Sequence, residues 1–373
     1  MRKQLGSVAV IGVVALLAAA CGSSSSGGSS SSSSSSGSSG GGSTAAKFKA
    51  CVVSDTGTIN DKSFNQSAYA GATSAASASG GKITAQFLPS ASSTDYASNI
   101  TTFVNQKCGI IVTVGYLMGD ATQNAANANP SQKFAIVDFS YPTTIKNVDA
   151  LLFNTVEDGF QGGYLAAAMS KTGKVATFGG QKLPTVTIYM DGFWDGVQYY
   201  NAKKHKNVKV LGWNEKTQNG SFTGNFTDLT AGQRLTNTFI SEGADVIFPV
   251  AGNVGLGAAK AVQNADAAAG TQKVNMMWVD VDGCVLAAQY CKYFITSIDK
   301  GVQTAVNHAV TTAQAGTFKG GNYVGTLANG GVGLAPFHDF ASKIPASVKT
   351  ELDQIKTGIE NGTIKPATKS PAK

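Results

Sequence analysis

The chain has 373 residues, 42% hydrophobic and 14% charged, with 29 Lys+Arg against 22 Asp+Glu and a formal charge of +7. Such a balance invites a nucleic-acid reading, but Arg2 and Arg234 are the only arginines, and arginine forks dominate phosphate and base-edge recognition. The lysines are scattered apart from Lys203, Lys204 and Lys206, so nucleic acid is excluded as a partner and the charge reads as solubilising surface.

Arg2 and Lys3 form a short basic start, and an apolar run follows from Val8 to Ala20. That run is too short for a hydrocarbon core of roughly 30 Å and has the length of a signal-peptide h-region. It ends at Leu17-Ala18-Ala19-Ala20-Cys21, with small residues directly before a cysteine, an arrangement that resembles a bacterial lipobox. The resemblance implies a signal peptide over 1–20, lipidation of Cys21 with acyl chains such as palmitate, and a membrane anchor on the extracytoplasmic face. Residues 22–43 are 15 Ser and 7 Gly, which cannot offset the entropy of ordering. Residues 21–46 therefore read as a lipidated cysteine and a flexible tether, spanning roughly 25 Å as a random coil.

From Phe48 onward, apolar strand patterns alternate with helical ones. The first series predicts strands at Phe48–Ser54, Ile83–Leu88, Gly109–Gly115, Phe134–Phe139 and Ala150–Asn154. Between them Tyr96, Ile100, Phe103 and Val104 share a helical face. A second series predicts strands at Val175–Gly179, Val208–Gly212, Asp245–Val250 and Asn275–Asp280, with helices near 185–201, 229–243 and 254–268. Then come a strand at Tyr293–Ser297, a helix over Asp299–Ala315, a Gly-rich extended stretch at Tyr323–Leu334 and a last helix over Pro345–Asn361. Alternation of this kind means parallel sheets covered on both faces, and two series mean an α/β protein of two doubly wound lobes joined by a multi-crossing hinge. The expected division is 47–154 plus about 290–325 for the first lobe, 155–289 plus about 326–363 for the second, and a tail over 364–373.

Cysteine parity fits export. With Cys21 set aside, Cys51, Cys108, Cys284 and Cys291 remain, and four cysteines allow three pairings. Cys51 and Cys108 each start a strand pattern, so neighbouring parallel strands can join them, while Cys284 and Cys291 bracket a short loop. A four-thiolate metal site is disfavoured because no Cys-x-x-Cys spacing occurs. No metal or cofactor is expected.

Catalytic signatures are missing from the body: it has no Gly-x-Ser-x-Gly elbow, P-loop or His-Glu-x-x-His. His205, His308 and His338 read as ordinary solvent or packing histidines. The segment Gly252-Asn253-Val254-Gly255-Leu256-Gly257 follows a strand and opens a helix, but its spacing is not G-x-G-x-x-G. It reads as a tight turn where backbone can approach a ligand. The chain is therefore expected not to be an enzyme; a cleft hydrolase is the distant alternative.

In an open parallel sheet, ligands sit outside the carboxyl ends of the strands, beside helix N-termini. After the first strand comes Asp55-Thr56-Gly57-Thr58-Ile59-Asn60-Asp61-Lys62-Ser63-Phe64-Asn65-Gln66. Asp61 or Ser63 can cap the following helix, and Phe64 sits in its first turn, an odd place for an aromatic unless it packs into a cleft. This D-x-G-x-x-N-D-x-S-F-N-Q segment resembles the basic membrane protein family of lipoproteins, which includes purine nucleoside receptors. Phe153–Ala168, Gly192-Phe193-x-x-Gly196, Phe226-x-Asp228, Gly243–Phe248, Val279-Asp280-x-Asp282 and Ile295-Thr296-Ser297-x-x-Lys300 are similar to further family segments, in order.

The resemblance implies class I periplasmic-binding-protein-like lobes, an ABC permease as partner and a nucleoside, purine before pyrimidine, as ligand. It implies that Phe64 and Phe226 sandwich the base, with Phe222 a rival because Thr223–Asn225 blurs the register. Asn65 and Asp138 resemble the base-edge contacts. Asp55, Asp280 and Lys300 resemble the hydroxyl contacts, with the Gly252 backbone nearby. A binding or sensor lipoprotein for a sugar or signal molecule is the alternative.

Overall fold

The computed structural model describes residues 46–372. The signal peptide, Cys21 and nearly all of the tether lie outside the described residues.

The first lobe is laid down by β1 (Phe48–Thr56), α1 (Phe64–Ala78), β2 (Ile83–Ser90), α2 (Tyr96–Asn105), β3 (Ile110–Val114), α3 (Gly119–Ala128), β4 (Phe134–Val137) and β5 (Val148–Phe153). The second begins with α4 (Val156–Met169), β6 (Lys174–Gly179), α5 (Pro184–Lys204) and β7 (Lys209–Leu211). A small ribbon, β8 (Trp213–Asn214) and β9 (Asn219–Gly220), precedes α6 (Leu229–Ser241), β10 (Val246–Val250), α7 (Val254–Ala269), β11 (Asn275–Asp280) and α8 (Gly283–Leu286). The last elements are β12 (Phe294–Lys300), α9 (Val302–Gln314), β13 (Gly321–Gly325), β14 (Val332–Leu334) and α10 (Ala346–Glu360).

Two six-stranded sheets result, with strand orders β13-β5-β4-β3-β1-β2 and β14-β12-β11-β10-β6-β7. Pairing in the first is parallel throughout, and in the second only β12 with β14 is antiparallel. The central strands β3, β4 and β10 are buried at every residue, as strands covered by helices on both faces must be. The disulfides are Cys51–Cys108, between β1 and the entry to β3, and Cys284–Cys291 across the short loop, with Cα separations of 6.1 and 4.5 Å.

One lobe boundary differs from the sequence expectation. The sequence pattern places the stretch from about 290 in the first lobe, yet Phe294–Lys300 is a strand of the second sheet, paired with β11 on one side and β14 on the other. The chain crosses only at Gly301, and the helix starts at Val302 rather than Asp299 because Asp299 and Lys300 still pair with Gly333 and Val332. A buried strand carries no mark of the sheet it will join. Helix α9 does belong to the first lobe: it packs on α1, where a Cβ on Gly71 would stand 2.5 Å from the Gln303 carbonyl oxygen.

The chain passes between the lobes after β5, after β12 and after β13, and the crossings are tied together. The Asn154 amide donates to the Gly325 carbonyl (2.8 Å), the Gly301 amide to the Gly331 carbonyl (2.8 Å), and the Leu327 amide to Glu157 Oε2 (2.7 Å). Adjacent, mutually bonded crossings let the lobes rotate about a common line while staying in register.

Candidate ligand-binding cleft

The loop from β1 to α1 shows how the sequence builds one wall. Helix α1 begins with several backbone N–H groups lacking intrahelical partners. The Asp61 carboxylate takes three amides of this turn: Ser63 N (3.0 Å), Asn65 N (2.8 Å) and Gln66 N (3.1 Å). Of the two capping candidates Asp61 is thus the one used, and the Ser63 hydroxyl is free for another task. It donates to Asp280 Oδ2 at 2.8 Å, across the interlobe gap, and lies 3.2 Å from the Val279 carbonyl oxygen. Beside it, Trp278 Nε1 donates to the Lys62 carbonyl at 3.0 Å, a geometry that holds Lys62 at φ +57°. The loop therefore joins the second lobe while turning Phe64 and Asn65 into the cleft.

Asp138 and Asp280 occupy equivalent places, each at the carboxyl end of its strand with φ +69°, a backbone region that costs energy for a residue with a Cβ. Between them stands Lys300, 5% exposed at the end of β12. Its Nζ is 2.7 Å from Asp138 Oδ2 and 3.6 Å from Asp280 Oδ1, and lies 4.9 Å from the ring centroid of Phe64 and 5.4 Å from that of Tyr189. Burial alone would weaken the ammonium's hold on its proton, but the Asp138 and Asp280 carboxylates outweigh it and the Lys300 pKa is raised. The Tyr189 hydroxyl donates to Asp280 Oδ1 at 3.0 Å. Asp280 is thereby bonded from both lobes.

Asp55 stands near the carboxyl end of β1 on the first-lobe wall. Gly115, at φ +116°, brings backbone so close that a Cβ there would lie 2.3 Å from Asp55 Oδ2. Burial pushes the Asp55 carboxyl up to about 7, against the hydrogen bond it accepts from Asn65 Nδ2 at 3.3 Å. Asn65 is 4% exposed and its Oδ1 has no protein partner, which leaves a buried acceptor on the cleft wall.

All eight residues expected at the ligand (Asp55, Phe64, Asn65, Asp138, Phe226, Gly252, Asp280 and Lys300) line this single cleft. The second-lobe aromatic is Phe226: its ring lies against Gly180, where a Cβ would stand 2.3 Å from Cε1. Phe222 instead packs on Gly179 and meets Trp213 edge-on at 5.9 Å and does not line the cleft. Sequence reasoning missed Tyr189, Thr185, Tyr116 and Asn253, which also line it. Thr185 was within reach of the strand-end rule, since it opens the helix that follows β6. Tyr189, a turn further along α5, has no sequence mark separating it from the core residues around it.

His338 lies outside the cleft, with Nε2 2.7 Å from Asp282 Oδ2. Among the described residues it forms with Asp282 and Cys284 the one cluster of metal-ligand type, and the Cys284 sulfur is held in its disulfide. The arrangement in the cleft suits capture of a small polar molecule with a flat face: four aromatic side chains, a buried open acceptor, four aspartates and a fixed cation, contributed by both lobes.

Residues 48–373 match the Bmp family, described as ABC transporter substrate-binding protein PnrA-like. The chain is 30% identical over 328 residues to the ABC transporter nucleoside-binding protein BmpA of Lactococcus lactis, covering 85% of this chain and 88% of that one. It is 30% identical over 318 residues to basic membrane protein A of Borreliella burgdorferi, covering 83% and 84%. A solved ABC transporter solute-binding protein from Aeropyrum pernix K1 superposes with a TM-score of 0.74 at 26% identity, covering 85% of this chain and 92% of that one. With a match that spans the whole folded body and a two-lobed architecture shared with a solute-binding protein, the chain belongs to the basic membrane protein family of PnrA-like ABC transporter substrate-binding proteins.

Proposed function

We propose that this protein captures a nucleoside, purine before pyrimidine, between its lobes and hands it to an ABC permease without chemically altering it. The observation that carries the reading is that Phe64 from one lobe and Phe226 from the other line the same cleft as Asp55, Asn65, Asp138, Asp280 and Lys300. A base between two aromatic rings gains roughly 1–3 kcal/mol per stacked base. The open Asn65 Oδ1 is an acceptor for a base N–H, and carboxylates at strand ends accept from sugar hydroxyls in charge-assisted bonds. The name of the Lactococcus relative supports the ligand class. Ligand touching both lobes favours the closed form by its differential affinity for it.

A thermal-shift panel of nucleosides, free bases and sugars tests this. A nucleoside at 100 times its dissociation constant is expected to stabilise the protein by about 2.7 kcal/mol. Phe226→Ala is expected to weaken nucleoside binding by roughly 1–3 kcal/mol. Stabilisation by a sugar and by no nucleoside would overturn the ligand while leaving the fold untouched.

The same proposal puts the protein on the outer face of the membrane, held by acylated Cys21. Cys21→Ala is expected to release the body from the membrane fraction or stall its processing. An N-terminal peptide that starts elsewhere and carries no lipid, in protein recovered wholly from the soluble fraction, would refute the anchor.

A further inference from the structure

The last residues of the described chain are a docked segment. After α10 the backbone turns at Gly362 (φ +76°), and Ile364 packs over Gly358. The chain then runs back along α5. The Ala367 amide donates to Asp195 Oδ2 (2.9 Å), the Thr368 hydroxyl and Lys369 amide donate to Asp191 Oδ2 (2.7 and 3.1 Å), and Ser370 Oγ meets Thr187 Oγ1 at 2.8 Å. Thr187, Asp191 and Asp195 are spaced four apart and so share one face of α5. The segment therefore climbs that face antiparallel to the helix, toward Pro184 at its N-terminus.

At the top the segment leaves the second lobe. Ala372 packs against the first-lobe core cluster that contains Met118, Ile136 and Leu152. Ser370, Pro371 and Ala372 wall a chamber bounded by first-lobe residues such as Phe139 and Pro142 and by Pro184 and Ile188 of α5. Four residues of this chamber, Tyr116, Asp138, Thr185 and Lys300, also line the ligand cleft. The chamber and the cleft thus share a wall, and the C-terminal segment closes the chamber's other side.

We propose that residues 367–372 are an interlobe latch: a strap anchored by hydrogen bonds on α5 of the second lobe, whose Pro371–Ala372 end seats on the first lobe and favours the closed form. The three hinge crossings leave the lobes free to rotate, whereas a contact on the cleft side resists that rotation directly. Opening unseats Pro371 and Ala372 and leaves the anchor on α5 intact. The inference of a latch concerns the protein with or without ligand; only its effect on release rests on the nucleoside reading.

The test uses the protein with its natural N-terminal region and two variants. One ends after Ser370 and removes only the seat; the other, Ala372→Glu in the full chain, places a charge against the apolar cluster. Small-angle scattering of ligand-free protein reads the opening, and hydrogen exchange of the Trp278 indole N–H, which donates to the Lys62 carbonyl of the first lobe, reads the loss of interlobe contact. Both variants are expected to show a larger radius of gyration and faster exchange than wild type. Nucleoside dissociation is expected to be about three- to tenfold faster, as the closed population falls. Scattering and exchange identical to wild type in both variants would overturn the latch. A shift in scattering with no nucleoside bound by any form would support the latch and remove the nucleoside reading instead.

Discussion

Lys300→Met is expected to destabilise the protein by about 3–5 kcal/mol near pH 8 and to abolish ligand capture, because it strands two buried carboxylates. The ammonium is 5% exposed and stands 2.7 Å from Asp138 and 3.6 Å from Asp280, which are themselves 7% exposed. Methionine keeps most of the volume, so the loss is electrostatic. The pH dependence has a definite sign. Because the folded pKa of Lys300 is raised, its stabilisation is fully present below the unfolded value of about 10.4 and is lost as pH rises through the folded value. In acid the gap also narrows. Burial already raises the Asp138 carboxyl pKa against the pull of Lys300, and without the ammonium it rises further, so the folded variant binds a proton more tightly than the unfolded chain and regains stability as pH falls toward about 4. Urea titrations of both proteins from pH 5 to 10 measure the gap. Adding Asp138→Asn to Lys300→Met is expected to recover part of the loss, since one stranded charge is then gone. A gap below about 1 kcal/mol at pH 8 would mean that the trio is not closed off from water as drawn.

Gly163→Ala is expected to cost about 2–3 kcal/mol, although alanine is the better helix former by about 1 kcal/mol. Helices α4 and α5 touch backbone to backbone. A Cβ would lie 2.0 Å from the Phe193 carbonyl oxygen at Gly163, 2.0 Å from that of Phe160 at Gly196, and 2.4 Å from that of Val156 at Gly192. Backbone cannot swing aside as a side chain can, so even one methyl separates the helices along their contact. The consequence reaches the cleft, because α5 carries Thr185 and Tyr189 and α4 follows the first hinge crossing. Gly163→Ala should lower the urea midpoint with little change in slope. A stabilised Gly163→Ala protein would show that the helices are further apart than this.

These glycines were visible in the sequence as members of the Phe153–Ala168 and Gly192–Gly196 segments, but only the packed helices give them a reason. Other features show the same division. The alternation of strand and helix patterns fixes two parallel sheets, since a parallel strand buried on both faces must be apolar along its length. Cleft positions were legible for a related reason: strand ends beside helix starts are where a parallel sheet exposes backbone and polar side chains to a ligand. That rule points to the loop of Asp61, Ser63 and Phe64 after the first strand; the set Asp55, Phe64, Asn65, Asp138, Phe226, Gly252, Asp280 and Lys300 is what the family resemblance implies, and all eight line the cleft.

Tertiary structure decided what local pattern cannot encode. Phe222 and Phe226 lie four residues apart in one loop, and only the fit of each ring over Gly179 or Gly180 sends one to Trp213 and the other to the cleft. Local pattern puts Lys300 inside the expected helix over Asp299–Ala315, whereas β12 runs through it and ends its side chain between two carboxylates. Tyr189 is chosen by the packing of α5, which sets its hydroxyl on Asp280 at the cleft. The C-terminal segment has no periodic pattern, and the hydrogen bonds that dock it on α5 go to residues more than 170 positions earlier. Sequence determines what each segment can bury; which partners meet is set by the three-dimensional packing, because those contacts join residues whose spacing along the chain carries no period.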